Sequence, residues 1–224
     1  MTADGTYPEI YSDERANNLG ETAYERLLDM LIKRELAVNT VLQERPLADF
    51  LKISRTPLRY ALNRLENEGF LDRTPGRALV VKAFSTRELV ETLHVRAVLE
   101  SEAARLSVGR IPPEQLDAVE QDVRDIIASA NPSAAEDWAV DSRFHNMISQ
   151  NSGNSVIATM IETLRLKTYM FNLSRVPERF AVGHREHLAI IDALRRRDTL
   201  EAQRGIQAHI ENVKNSIITK LSEI

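Results

Sequence analysis

Three histidines and one aspartate in the second half of the chain stand at positions where the helical pattern calls for apolar residues. In "DWAVDSRFHNMISQ", Asp141, Phe144, His145 and Ile148 recur at i, i+3, i+4 and i+7, so a carboxylate and an imidazole share one helical face with core residues. His187 heads the stripe continued by Ile190, Ile191 and Leu194, and His209 lies between Ile206 and Val213 on their common face. A single inward histidine is ordinarily a hydrogen-bonded core residue. Four inward polar groups on three helices are costly to bury without partners, and one divalent cation offsets that cost for all of them. Three neutral imidazoles and a carboxylate suit Zn2+ first, with Ni2+, Fe2+ or Mn2+ as alternatives. A second reading leaves these histidines hydrogen-bonded and metal-free. His184, one turn before His187, is a candidate outer partner of the cluster, and His94 reads as structural.

A second group of residues suits a different ligand. Arg55, Arg59 and Asn63 fall at i, i+4 and i+8, on another side from the stripe Leu58, Ala61, Leu62 and Leu65. Thr56 lies beside them, Arg45 opens the preceding helix, and Arg77 and Lys82 lie on a following hairpin. Such side chains contact phosphate oxygens and base edges, and Arg can grip guanine in a bidentate fork. Between residues 45 and 82, eight Lys and Arg stand against four Asp and Glu, although the whole chain carries a formal net charge of −4. Arg64 reads instead as surface charge paired with Glu68 one turn away.

These residues need elements to hold them. Residues 1–20 are polar without a sustained period and read as a loose arm. From residue 21 to 84 the pattern predicts three helices and a hairpin. Leu27, Leu28, Leu31 and Ile32 mark the first helix; Leu47, Phe50 and Leu51 the second. Ser54 or Thr56 caps the third, which Pro57 suits in its first turn and Gly69 ends. Two short apolar runs then flank Pro75-Gly76. From residue 85 to 224 no β-period appears. Six helices are expected, at about 86–108, 113–130, 133–151, 154–174, 177–198 and 199–222, with breaks at Pro112-Pro113, Asn131-Pro132, Ser152-Gly153-Asn154 and Val176-Pro177. The fold class is mainly α: an N-terminal winged helix-turn-helix followed by an all-α antiparallel helical bundle.

Composition narrows the classes further. At 43% hydrophobic and 28% charged residues, the chain has the makeup of a folded protein, which excludes wholesale disorder. It has no cysteine, so disulfides, thiolate nucleophiles and thiolate metal sites are excluded. No basic patch leads into an apolar stretch at the start, and no apolar run reaches membrane-spanning length. A cytoplasmic protein without membrane contact is the expectation.

The segment "AYERLLDMLIKREL…LQERPLADFLKISRTPLRYALNRLENEGFLDRTPGRALVV" closely resembles the DNA-binding domain of GntR-family transcriptional regulators over residues 22–83. The resemblance implies that Arg45, Arg55, Thr56, Arg59 and Gly76 occupy DNA-contact positions, with Arg77 beside them on the wing. Glu35 and Asn39 stand where the family commonly has glycine, Ala78 replaces a wing-tip glycine, and Tyr60 replaces a common glutamate. Asn39 tolerates a left-handed turn. The second half, through "RAVLESEAARL", "DSRFHNMISQNSGN", "EHLAIIDALRRRD" and "AQRGIQAHI", resembles the FCD ligand-binding domain of the FadR group. Six helices rather than seven point to the shorter, VanR-like form. The family's metal ligands carry over onto Asp141, His145, His187 and His209. Arg96 is the candidate partner for an effector carboxylate; its other reading is an ion pair with Glu100 one turn away.

The expected protein is a metabolite-responsive repressor that binds double-stranded operator DNA as a homodimer. One short helix reads few base pairs, so two half-sites must match a two-fold axis. A small carboxylate would bind beside the metal and shift the dimer. The alternatives are a DNA-binding dimer whose helical half is a metal-free dimerisation module, and a helical metalloenzyme that activates water. No general base, nucleophile motif or phosphate loop supports the enzyme.

Overall fold

The computed structural model describes residues 14–76, 78–170 and 177–222. The chain divides after Ala83 into two compact units.

The first unit contains α1 (Glu14–Ile32), β1 (Val41–Leu42), α2 (Glu44–Leu51), α3 (Arg55–Asn67), β2 (Leu71–Arg73) and β3 (Leu79–Val81). The leucine stripe of α3 turns inward: Leu58, Ala61, Leu62 and Leu65 are all buried, against Leu27 and Leu31 of α1 and Leu47 and Leu51 of α2. Burying those side chains stabilises the unit by ~1.5–3 kcal/mol for each large one. Gly69, at φ +78°, ends α3. Its N–H donates to the Glu66 carbonyl, and the Phe70 N–H donates to the Leu65 carbonyl. That pair of reversed bonds satisfies carbonyls the helix leaves open, and Phe70 is then driven into the core.

Two differences from the pattern have local causes. Helix α1 starts at Glu14, so residues 14–20, expected in the arm, belong to a helix. Leu19 there is exposed, so no inward stripe announces it. Instead the Tyr60 ring of α3 lies against Gly20, where a Cβ would come within 2.7 Å of Tyr60 Cδ1. The other difference is β1, which extends the hairpin to a three-stranded antiparallel sheet of order β1-β3-β2. Val41 pairs with Val80 and Leu42 with Leu79. Two residues are too few to show alternation. Asn39, at φ +65°, turns the chain into this strand, and its N–H donates to the Val81 carbonyl.

The second unit is a helical bundle: α4 (Thr86–Ser107), α5 (Pro113–Ala128), α6 (Ala134–Gln150), α7 (Ser155–Met170), α8 (Pro177–Arg195) and α9 (Thr199–Ser222). The expected continuation of α7 to residue 174 lies partly outside the described residues. Helix α4 packs against α6, α7 and α9, α5 against α6 and α8, and α8 against α9. Capping boxes start two of these helices: Ser85 with Glu88 on α4, and Ser133 with Glu136 on α6. The core runs through Leu93, Val123, Phe144, Ile148, Ile161, Ile191 and Ile206. Gly205 sets the approach of α8 and α9, since a Cβ there would stand 2.8 Å from Ile190 Cγ1. Ile190 follows His187 by three residues and Gly205 precedes His209 by four, so this close packing brings the two imidazoles together. Among the described residues, no helix is long and apolar enough to cross a membrane.

Candidate functional site

Helix α6 presents Asp141 and His145, α8 presents His187, and α9 presents His209. One donor atom from each lies within 4.8 Å of the other three. His187 Nε2 is 3.2 Å from His209 Nε2. Asp141 Oδ1 is 3.6 Å from His145 Nε2 and 3.7 Å from His187 Nε2. The three histidines are buried. Metal–nitrogen bonds near 2.0–2.1 Å place the corners of a tetrahedron roughly 3.3 Å apart, close to these separations.

The hydrogen bonds show where the lone pairs of the cluster point. His145 Nδ1 is 2.5 Å from Glu100 Oε2, and His209 Nδ1 is 2.7 Å from Glu186 Oε2. Each carboxylate takes an N–H and leaves the Nε2 lone pair turned to the cluster. Arg165 Nη2 donates to Asp141 Oδ2 at 2.7 Å, leaving Oδ1 toward the imidazoles. His187 stacks on Phe144 at 4.0 Å between ring centroids, and its Nδ1 has no hydrogen-bond partner. A proton on His187 Nε2 would serve His209 alone and strand two other acceptors. A divalent metal accepts from all four, so the donor set fits one.

The electrostatics hold the donors in the metal-competent state. Burial, and then the neighbouring imidazoles, push His187 well below its ordinary value, and burial lowers His209. For Asp141, burial pushes upward, but Arg165 beside it, with His145 and His187, holds the carboxyl well below the usual range. Burial likewise works against the Glu186 carboxylate. Donation from His209, Arg179 and Asn212 outweighs it and lowers Glu186 to about 2.

A cavity of about 450 Å3 reaches the cluster on the side of Asp141, His187 and His209. Trp138, Tyr169, Phe180 and Ile217 form much of its wall, with Arg179 and His184. His184 bonds Asp137 Oδ1 through Nε2 at 2.8 Å; it does not hold a cluster residue by hydrogen bond. His94, read as structural, is exposed. Arg96, the candidate partner for an effector carboxylate, is not among the cavity residues: it is buried on α4, its Nε on Glu100 Oε1 at 2.7 Å. The i, i+4 pairing with Glu100 claims the guanidinium, and Glu100 in turn holds His145. Sequence reasoning missed Glu100, Arg165 and Glu186 as supports. Arg165 carried a signal, since it sits at i+4 from Ile161 on the inward face of α7.

In the first unit, Arg55, Thr56, Arg59 and Asn63 lie on the exposed side of α3, and Arg45 and Gly76 are also exposed. Arg77 lies outside the described residues. Arg59 Nε donates to Glu44 Oε2 at 2.7 Å, an exposed pair of the weak kind that a phosphate can displace. Tyr60 turns away, its hydroxyl donating to Glu21 Oε1 at 2.6 Å. Arg64 pairs with both Glu21 and Glu68 and lies over the Tyr24 ring.

Comparison with known proteins agrees with both halves. Residues 19–81 match the bacterial regulatory proteins of the gntR family, and residues 91–212 match the FCD domain. The chain belongs to the GntR family of DNA-binding transcriptional regulators and carries an FCD domain. It is 30% identical over 181 residues to the Nta operon transcriptional regulator of Aminobacter aminovorans, covering 79% of this chain and 84% of that one. It is 26% identical to the HTH-type transcriptional repressor NanR of Cronobacter sakazakii, over 87% of this chain and 84% of that one. In fold it matches E. coli McbR/YncC with a TM-score of 0.77, at 22% identity, across 92% of this chain and 99% of that one. The Aminobacter and Cronobacter relatives are named as transcriptional regulators, not as enzymes.

Two outcomes follow from the cluster. Replacing Glu100 with Gln frees His145 to choose its tautomer and should weaken Zn2+ affinity about 10–100-fold, read by competition with a chromogenic chelator. In chelator-treated protein, His187 and His209 are depressed in the folded state, so unfolding binds protons as pH falls below their ordinary value of 6.5. The stability they contribute is therefore present above that value and lost below it. The unfolding midpoint should fall between pH 7.5 and 5.5, and His187→Leu should flatten that slope in a denaturant titration series.

Proposed function

We propose that this regulator is a repressor whose helical unit holds a divalent metal through Asp141, His145, His187 and His209 and senses a small organic acid beside it. The observation that carries the reading is the convergence of four electron-pair donors at the end of an open cavity. When bound, the metal supplies a Lewis-acidic coordination position for the acid's carboxylate. The chain's own residues do the rest. Glu100 and Glu186 orient two imidazoles, Arg165 orients Asp141, and the cavity wall excludes water from the acid's body. Zn2+ suits three imidazoles and one carboxylate best. The six helices α4–α9 support the shorter, VanR-like form of the domain.

Arg45, Arg55, Thr56, Arg59 and Gly76, with Arg77 on the wing, are proposed to contact DNA, α3 entering the major groove. Two copies are needed, because one helix of this length reads too few base pairs for an operator. The acid then shifts the dimer only by binding its two arrangements with different affinity. The name of the Cronobacter relative, a repressor, supports the direction of control.

Elemental mass spectrometry of protein never exposed to chelator or a nickel column should find about one transition metal per chain. His187→Ala should lose most of it; metal-free wild type would leave the helical unit a dimerisation module. Arg55→Ala combined with Arg59→Ala should cost ~1–3 kcal/mol per lost bidentate contact. Operator affinity should fall on the order of a hundredfold by gel shift, with an unchanged circular dichroism spectrum.

A further inference from the structure

The cavity wall bears on which acids can enter, a point that rests on the metal-and-acid reading above. Arg179 is the only Lys or Arg among the described residues of that wall. Its charge is already met: Nη1 and Nη2 donate to the two Glu186 oxygens at 3.1 and 2.5 Å. Glu186 is held there by two further donors, His209 Nδ1 at 2.7 Å and Asn212 Nδ2 at 2.9 Å. Swinging Arg179 toward a ligand would therefore strip a partner from the carboxylate that orients His209. Arg165 is equally committed, buried on Asp141. The other carboxylate of the wall, Asp137, sits against His184, its Oδ1 2.8 Å from Nε2, and offers a second anionic group no donor. Elsewhere on the wall, His184 Nδ1 and Arg179 Nε are buried without a hydrogen-bond partner, while the two serines are engaged. Ser133 Oγ serves the α6 cap and Ser216 Oγ donates to the Asn212 carbonyl.

The apolar part is built for a flat or bulky body. Trp138 and Tyr169 pair with ring centroids 4.1 Å apart, and Phe180 and Ile217 face the same space. Trp138 also lies 5.1 Å from the Arg165 guanidinium, the group that holds Asp141. A ring placed there gains dispersion and aromatic contacts without leaving a buried charge unpaired. A second carboxylate would lose water and find, among the described residues of the wall, no Lys or Arg that is not already ion-paired.

We infer that the effector is a monocarboxylic acid with an aromatic or similarly apolar body, and not a di- or tricarboxylate. The carboxylate lies at the Asp141–His187–His209 end, and the apolar body lies between Trp138, Tyr169 and Phe180. The single tryptophan of the chain stands in this wall, so its emission reports the site directly.

The test uses the full-length protein after Zn2+ addition and removal of excess metal. Metal content is read first. Trp138 fluorescence is then titrated with 3-phenylpropanoate and, separately, with citrate. The expected result is about one Zn2+ per chain, a saturable emission change with 3-phenylpropanoate, and a Kd at least tenfold lower than for citrate. Phe180→Ala should weaken 3-phenylpropanoate about tenfold while keeping its Zn2+; Phe180→Leu replaces it where circular dichroism shows that variant unfolded. Zn2+ retained with citrate binding as tightly or tighter, or with no response to 3-phenylpropanoate, overturns this inference and leaves the metal reading standing. Zn2+ not retained overturns the metal reading, and this inference with it.

Discussion

His187 Nε2 and His209 Nε2 lie 3.2 Å apart in a buried space, with Asp141 Oδ1 and His145 Nε2 facing them. Lone pairs brought together away from water repel, and no single proton can satisfy all four. The helical unit holds them there from outside. Glu100, Glu186 and Arg165 each grip the far side of one donor, so each donor's near side is turned inward. Gly205 lets α8 and α9 approach closely enough for the two imidazoles to meet. A buried ionic arrangement of this kind contributes little to stability by itself, and removing one member leaves a charge or lone pair stranded. The arrangement becomes favourable when a cation fills it.

The two units manage charge in opposite ways. In the helical unit the inward cations are committed: Arg96 to Glu100, Arg165 to Asp141, Arg179 to Glu186. Each pairs with a carboxylate that belongs to the Asp-His-His-His cluster or supports it. In the DNA-facing unit, Arg45, Arg55 and Arg59 stay at the surface, and Glu44, which pairs with Arg59, is itself half-exposed. Paired and buried guanidiniums position a site. Exposed ones remain available to phosphates. The same residue type is therefore buried and ion-paired in one unit and left at the surface in the other.

Much of this was legible in residue order because it depends on local periodicity. The inward stripe of α3, the glycine that ends it, the six helices of the second unit and the Asp-His-His-His set all follow from which residues share a helical face. Features without a local period were not legible. The early turns of α1 carry no apolar stripe and meet Tyr60 through Gly20, a contact that joins residues far apart in the chain. Strand β1 is two residues long and owes its form to β3. Arg96 illustrates the limit most plainly, because its spacing from Glu100 allowed either an ion pair or an effector contact. Only the tertiary structure shows the ion pair formed and Arg96 away from the cavity wall.

What the sequence by itself determined is the kind of protein: a basic helix-turn-helix segment ahead of an acidic helical half, with four metal-ligand types on inward faces. Periodicity assigns a face to each residue, and it does so helix by helix. The rotation of one helix against another is set by packing across the whole core. Which carboxylate meets which imidazole, which arginine is spent and which wall the cavity presents were therefore decided by tertiary structure alone. Glu100, Arg165 and Glu186 come from three helices, and no spacing within one segment relates them to the donors they hold.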